Sequence, residues 1–506
     1  MKAHLMYRDR DFDAQQALPS NEAALTQDLE LDTLFKAMAQ GDEFLHQVAR
    51  QVLLSGLNED LETILFRQQV LKDCLGHYAA VKGLYDIAVA AIEGQKKHWW
   101  GTSGRSPGLI LHSSVDLVQM FMGLLKRLKL IADEHSEKFE SAGFSAFFRM
   151  LKAELADDYF ASIQDHLKEL KFREGVLVSA ELGKGNEGSN YVLRKSLVKK
   201  TGWIRRIFAR EPPSYTFHLH PRDEAGAQAL SILRDLGINL VANALAQSAE
   251  HILSFFTMLR TELAFYVACV NLHGRLVGQG TLVCFPVPAP GGTRRHTCLE
   301  LYDVCLALSL GHEVVGNDLD ADEKNLVIVT GANQGGKSTF LRGIGLAQLM
   351  MQCGMFVAAE AFSADIGRRL LTHYKREEDS TMTSGKFDEE LSRMSDVVDA
   401  LTPDSMLLFN EAFAATNERE GSEIARQIVR ALLEAQVKVF FVTHFYEFAH
   451  GLFEQKMDNA LFLRAERQAD GRRSFKLLEG EPLQTSFGTD LYQEIFGAAA
   501  ERAGAA

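Results

Sequence analysis

The chain has 506 residues, more than a single hydrophobic core ordinarily organises, so two or more domains are expected. Hydrophobic residues make up 46% and charged residues 24%, the proportions of an ordinary globular protein. A formal net charge of −13 excludes a nonspecific polycation for nucleic acid but leaves room for a local basic patch.

The first ten residues, Met1 to Arg10, lack an apolar stretch of export-signal type, and no uninterrupted apolar run approaches a membrane span. A cytoplasmic protein without a membrane partner is expected. Cys74, Cys269, Cys284, Cys298, Cys305 and Cys353 form no C-x-x-C pair, and most sit among apolar residues. That pattern favours reduced core thiols over disulfides or zinc.

From about Asp28 to Phe172 proline is nearly absent and apolar residues step at helical intervals. Leu34, Met38, Phe44, Val48 and Val52 are followed by Leu61, Ile64, Leu65 and Val70. Gly101–Gly108 reads as a loop between helices. Between Glu174 and Pro221 the pattern breaks. Val176–Ala180 and Asn190–Arg194 flank the glycine-rich Gly183–Gly188, which predicts a β-hairpin. A basic stretch follows and ends at Pro212-Pro213. Leu245, Ala249, Ile252, Phe256, Leu259, Leu263 and Val267 then mark one long helix. Two helical arms with a small β element at the turn between them are expected.

Beyond about Gly280, short apolar strands alternate with helices. Leu326–Val329, Ser405–Phe409 and Val437–Val442 predict a mainly parallel sheet covered on both faces. After the first of these comes Gly331-Ala332-Asn333-Gln334-Gly335-Gly336-Lys337-Ser338-Thr339, which fills the pattern G-x-x-x-x-G-K-S/T. A helix over Phe340–Met350 follows. Such glycines let successive backbone N–H groups face phosphate oxygens, and the helix N-terminus adds its positive end. Lys337 is expected to reach the terminal phosphates and Ser338 to ligate Mg²⁺, so the segment predicts nucleoside triphosphate binding.

Asn410-Glu411 ends the second strand, where side chains face a nucleotide bound beside the glycine loop. Glu411 is expected to polarise the attacking water. Asn410 stands on the Mg²⁺ side and can hydrogen-bond a metal-bound water, but it carries no charge. An ordinary strand-end turn is the alternative for this pair. His444, in Thr443-His444-Phe445 at the end of the third strand, is either structural or a γ-phosphate sensor.

In order and spacing these segments resemble the MutS family of ABC-type ATPases. Thr330–Thr339 is similar to the family's T-G-P-N-M-G-G-K-S-T, and Gly354–Ala359 to its G-x-F-V-P-A. Asn410-Glu411 with Thr416 and Gly421 keeps the spacing of D-E-I-G-R-G-T-S-T-x-D-G. Thr443–Phe448 resembles T-H-Y-x-E-L, and Ser486–Gly488 the closing S-Y-G. Ser384–Leu391 is similar to the signature S-T-F-x-x-E-M, which in the family completes the ATP site of a second subunit. The resemblance thus implies trans contacts from Ser384, Gly385 and Glu390 in a homodimer, with ATP and Mg²⁺ as cofactors. Asn317 matches the family's asparagine near the base, while Val314 stands where an aromatic ring is frequent. Asn410 for the family's aspartate, and Phe413-Ala414-Ala415 for Gly-Arg-Gly, imply slow hydrolysis.

The resemblance continues more weakly through Ala39–Leu45 and Leu61–Gln68, similar to the helical core of the family. It implies a mainly α-helical core and lever domain over residues 1–282, with a β insertion near 174–220. An α/β P-loop ATPase domain of ABC type is expected over residues 283–500. The chain enters this core almost at once, so mismatch reading by a preceding domain is not expected. Lys199, Lys200, Arg205 and Arg206 cluster around Trp203, and Lys96, Lys97, His98, Trp99, Trp100 and Arg105 form a second basic and aromatic group. Such groups neutralise phosphates and stack on bases, or else form a solvated face with packed tryptophans. Two functions follow as expectations: ATP-dependent DNA binding in repair or recombination, or a nucleotide-gated scaffold for protein partners.

Overall fold

A computed structural model describes residues 1–56, 60–99, 106–173, 175–195, 215–332, 334–376, 385–467 and 473–484. These residues form two compact units, each drawing on separated stretches of chain.

The first unit takes described residues from 1–3, 79–139 and 144–260. Its helices include Pro107–His135, Asp157–Leu170 and the leading part of Glu224–Gly278. Ser106 caps the first of these, accepting Leu109 N–H at 3.4 Å. Pro107 fills the opening turn, where a missing N–H costs nothing. Phe121, Leu125 and Leu128 then recur on one buried face, with the Phe121 ring 5.7 Å from that of Phe256. The hairpin forms where the sequence predicts it. Strands β1 (Leu177–Leu182) and β2 (Gly188–Arg194) pair antiparallel around Gly185, whose φ is 74°. Inside the long helix, Gly237 leaves room for this hairpin, since a Cβ there would stand 2.6 Å from Val178 Cγ2. The helical stepping read from Leu245 to Val267 is one stretch of the helix Glu224–Gly278.

The second unit takes described residues from 4–78, 140–143 and 261–506. Helices Glu22–Asp28, Leu31–Ala39, Glu43–Ser55 and Leu61–Gly76 therefore fold with the carboxyl-terminal sheets. Leu29 packs so tightly on Gly345 that a Cβ at 345 would lie 2.7 Å from it. The smaller sheet has the order β3-β7-β4-β5, from Val287–Ala289, Ala361–Asp365, His296–Leu301 and Asn317–Asp320. The larger has the order β12-β11-β6-β10-β9-β8. In that order its strands are Arg473–Glu479, Ala460–Arg467, Leu326–Thr330, Lys438–Val442, Met406–Asn410 and Leu370–Tyr374. Neighbours from β11 to β8 run parallel, and β12 closes one edge antiparallel. Every residue of β6, β8 and β10 is buried, as expected of a sheet covered on both faces.

Among the described residues two helices, Pro107–Lys138 and Glu224–Gly278, are long and apolar enough to cross a membrane by length and composition. Their most apolar windows are 44% and 67% buried inside the structure, and core helices of globular proteins have the same character. All six cysteines are free thiols, and each except Cys284 is buried.

Candidate active site

Strand β6 ends at Thr330, and the helix Lys337–Gln352 begins six residues after Gly331. The loop between them lies against β11. A Cβ on Gly331 would meet Ala465 Cβ at 2.9 Å, and one on Gly335 would meet it at 2.8 Å. Gly331 has φ 121° and Gly336 φ 88°, backbone that side-chain-bearing residues rarely adopt. Glycine is thus required twice over here, by approach and by conformation. Asn333 lies outside the described residues. Gln334, at φ 61°, accepts a hydrogen bond from Arg473 of β12.

The Lys337 side chain folds back over this loop. Its Nζ donates to the carbonyls of Gly331 at 2.8 Å and Ala332 at 2.9 Å, and the residue is 4% exposed. Burial pushes its pKa down, and the carboxylate of Glu411 acts in the opposite direction. Exposed Ser338 donates its hydroxyl to Asn410 Oδ1 at 2.9 Å. Half-buried Thr339 follows in the same helical turn.

Register explains why distant residues meet. Val442 of β10 pairs with Val329 of β6 on one side and Asn410 of β9 on the other. The carboxyl ends of these strands therefore stand side by side, at the edge from which the loop departs. Glu411 N–H donates to Val442 O at 2.9 Å, and Thr443 N–H to Val329 O at 3.0 Å. Lys337, Ser338, Asn410, Glu411 and Thr443-His444 all lie at this edge. His444 is exposed, its ring edge-on to Phe445 at 4.8 Å. Glu411 and Phe413 have φ values of 52° and 62°, strain that persists only where surrounding contacts impose it.

Other sequence-predicted residues take different places. Asn317 is buried at the start of β5, where Nδ2 donates to Phe475 O at 3.2 Å and Oδ1 accepts Leu477 N–H at 2.7 Å. Its amide ties β5 to β12. Gly385 caps the helix Lys386–Ala400. Glu390, expected to meet a second copy, is 3% exposed and accepts Phe413 N–H at 2.5 Å within its own chain. The cause is helical phase, since Glu390 and Met394, one turn apart, are the buried face of that helix. Ser384, Lys199, Lys200, Trp203, Arg205 and Arg206 lie outside the described residues. In the second basic group, Lys96 and Lys97 are exposed.

Sequence reasoning missed Phe475. It is 46% exposed with φ 57°, and a Cβ on Gly336 would lie 3.5 Å from its own Cβ. No motif marks this residue, because only sheet pairing brings β12 beside the loop.

The residues present fit a bound nucleotide and divalent cation. A glycine loop, a buried ammonium and the N-terminus of the helix Lys337–Gln352 match phosphate oxygens. The Ser338 hydroxyl and Asn410 amide oxygen are hard, neutral donors of the kind Mg²⁺ accepts.

Residues 59–279 match the family described as MutS2 N-terminal domain, and residues 327–496 match MutS domain V. A DNA mismatch repair protein MutS from Leptospira interrogans is 32% identical over 196 residues, covering 36% of this chain and 22% of that protein. Its counterpart from Parabacteroides distasonis is 34% identical over 226 residues, covering 39% and 25%. The human MutS protein homolog 4 is 31% identical over 143 residues, covering 28% and 15%. The chain thus spans a quarter or less of these relatives. A helical MutS2-type region followed by a MutS ATPase-family domain, with the glycine loop and strand ends in place, identifies the chain as a member of the MutS family.

Proposed function

We propose that this chain is an ATP-dependent DNA-binding protein that hydrolyses ATP at a site completed by a second copy. Its ATPase domain has the P-loop architecture of ABC type, and helical segments couple the nucleotide to DNA clamping in repair or recombination. The observation that carries this reading is the gathering of Lys337, Ser338, Asn410 and Glu411 at one sheet edge beside the glycine loop.

In this mechanism loop N–H groups and Lys337 bind the phosphate chain, and Lys337 neutralises charge that accumulates on the departing oxygen. Glu411 accepts the proton of the attacking water. His444, from the neighbouring strand, orients that water or senses the γ-phosphate. Phe475 offers an aromatic face for the adenine ring beside Gly336. Ser338 and Asn410 would hold Mg²⁺, which when bound offsets negative charge on the phosphates. Asn410 contributes an oxygen but no charge, so turnover is slow. Lys199, Lys200, Trp203, Arg205 and Arg206 supply the phosphate-neutralising and base-stacking groups for DNA.

The deciding experiment is steady-state ATPase of the full chain, with and without duplex and branched DNA, beside Lys337→Ala and Glu411→Ala. Wild-type hydrolysis that Glu411→Ala stops while ATP stays bound is the expected result. Normal hydrolysis by Glu411→Ala would overturn the role given to that carboxylate.

One observation favours a scaffold for protein partners as the second reading. Leu230, Leu233, Leu236 and Leu240 are exposed on the helix Glu224–Gly278, and Leu240 is 77% exposed. Fluorescence anisotropy separates the two, since a scaffold shows no salt-sensitive DNA affinity in either nucleotide state.

A further inference from the structure

The turn that presents Glu411 is held at two points. Upstream, Glu411 N–H donates to Val442 O at 2.9 Å, fixing the turn to β10. Downstream, Phe413 N–H donates to Glu390 Oε1 at 2.5 Å, a bond joining residues 23 positions apart in sequence. Between them Ala412 is 1% exposed and Phe413 fully buried. The Phe413 ring stacks on His373 at 5.6 Å, and it lies 6.2 Å from Phe409. His373 Nε2 is 3.8 Å from Glu390 Oε1.

Two non-glycine residues in left-handed conformation, Glu411 at 52° and Phe413 at 62°, bracket this turn. L-residues leave that region unless surrounding contacts hold them there. A buried N–H must also have an acceptor, and Phe413 finds its own in a side chain of the helix Lys386–Ala400. The direction of the Glu411 side chain follows from the φ that these bonds maintain.

We infer that Glu390 is a positioning residue for hydrolysis: its buried carboxylate grips Phe413 N–H and so fixes the turn that aims Glu411. This rests on the reading of Glu411 as the group that activates water. The same bond joins the helix that opens at Gly385 to the hydrolytic carboxylate. A displacement of that helix, such as contact with a second copy at its N-terminus, therefore reaches Glu411 through a single hydrogen bond.

The test compares ATP turnover, ATP affinity and thermal unfolding of the full chain in wild type, Glu390→Asp, Glu390→Gln and Glu390→Ala. Asp keeps a carboxylate in the site but draws its oxygen back by one methylene, so this variant is informative even where Ala fails to fold. Glu390→Asp is expected to lower kcat by about 10-fold or more, with KM for ATP within about 2-fold of wild type. Gln retains an oxygen acceptor and is expected to restore turnover to within about 3-fold of wild type. Glu390→Ala, where folded, should behave as Asp does or worse. The inference is overturned if Glu390→Asp turns over normally, or if Glu390→Gln falls as far as Glu390→Asp. It is also overturned if KM rises in step with the loss of kcat. Failure of the underlying reading looks different: wild type and Glu411→Ala would then hydrolyse ATP at the same rate.

Discussion

At Lys337 a cation is held nearly out of water, and both of its protein acceptors are neutral carbonyls. An anion stabilises a buried ammonium more than amide dipoles do, so a phosphate competes well for it. Lys337→Ala is expected to weaken ATP binding by roughly 100-fold, read by equilibrium dialysis; undiminished affinity would remove the loop from the proposal. Asn410 already accepts the Ser338 hydroxyl, and an aspartate there accepts it equally well while adding charge beside the cation site. Asn410→Asp should therefore lower the Mg²⁺ concentration that gives half-maximal hydrolysis, and an unchanged Mg²⁺ titration would contradict that placement. Phe475→Ala is expected to raise KM for ATP by about 3- to 10-fold with kcat little altered, the worth of one aromatic face. The loop carrying Lys337 and Ser338 was legible from spacing, because short-range backbone geometry dictates it, whereas Glu411 was placed only by its position after an apolar strand. Phe475 and the inward face of Glu390 were not, because each acquires its neighbour through pairing or packing across the fold.

Among the elements, the long helix Glu224–Gly278 shows how a single buried charge organises an irregular stretch of chain. Glu262, fully buried on that helix, accepts backbone N–H bonds from Leu5 at 2.6 Å, Met6 at 3.3 Å and Phe12 at 3.0 Å. Tyr266, one turn on, donates to Leu5 O at 2.6 Å, and Arg67 donates to Met6 O at 3.0 Å. Burial pushes the Glu262 carboxyl up to about 7 from an ordinary 4.5, against these bonds and with the added repulsion of Asp11. A folded-state value above the unfolded one means that the folded chain binds the proton more tightly. The associated stability is complete below about pH 4.5 and is lost as pH rises through about 7, a swing of roughly 3 kcal/mol. Urea unfolding at about pH 5 and about pH 8 should show this loss in wild type and a smaller one in Glu262→Gln; equal losses would refute the assignment. Helical stepping made the long helix visible in the sequence. Nothing local signals that Glu262 is interior, since a glutamate in a helix is usually solvated.

For the molecule as a whole, the proposed cycle makes ATP a cross-linker of two copies. Glu411→Ala with ATP should sediment as a dimer that wild type forms only transiently, and a monomer in every nucleotide state would end the composite-site proposal. DNA affinity should fall with salt. Replacing Lys199, Lys200, Arg205 and Arg206 with Ala should lower the slope of log affinity against log salt by about 1 for each phosphate no longer neutralised. The chain divides into units that local sequence does not announce, since helices Glu22–Asp28 through Leu61–Gly76 belong with the carboxyl-terminal sheets. Arg342, on the helix after the glycine loop, shows the reason: it bonds both Asp303 and Glu30, residues from widely separated stretches.

Sequence by itself determined the glycine loop, the alternation of buried strands with helices, the hairpin and the order of the family motifs. The loop, the strands and helices and the hairpin depend on residues near one another in sequence, where backbone sterics and side-chain period act directly, and the motif order is read along the chain itself. Tertiary structure alone decided that Phe475 borders the loop and that Glu390 turns inward to hold Phe413. Those contacts join positions tens to hundreds of residues apart, and their geometry exists only once sheet register and core packing have brought the segments together.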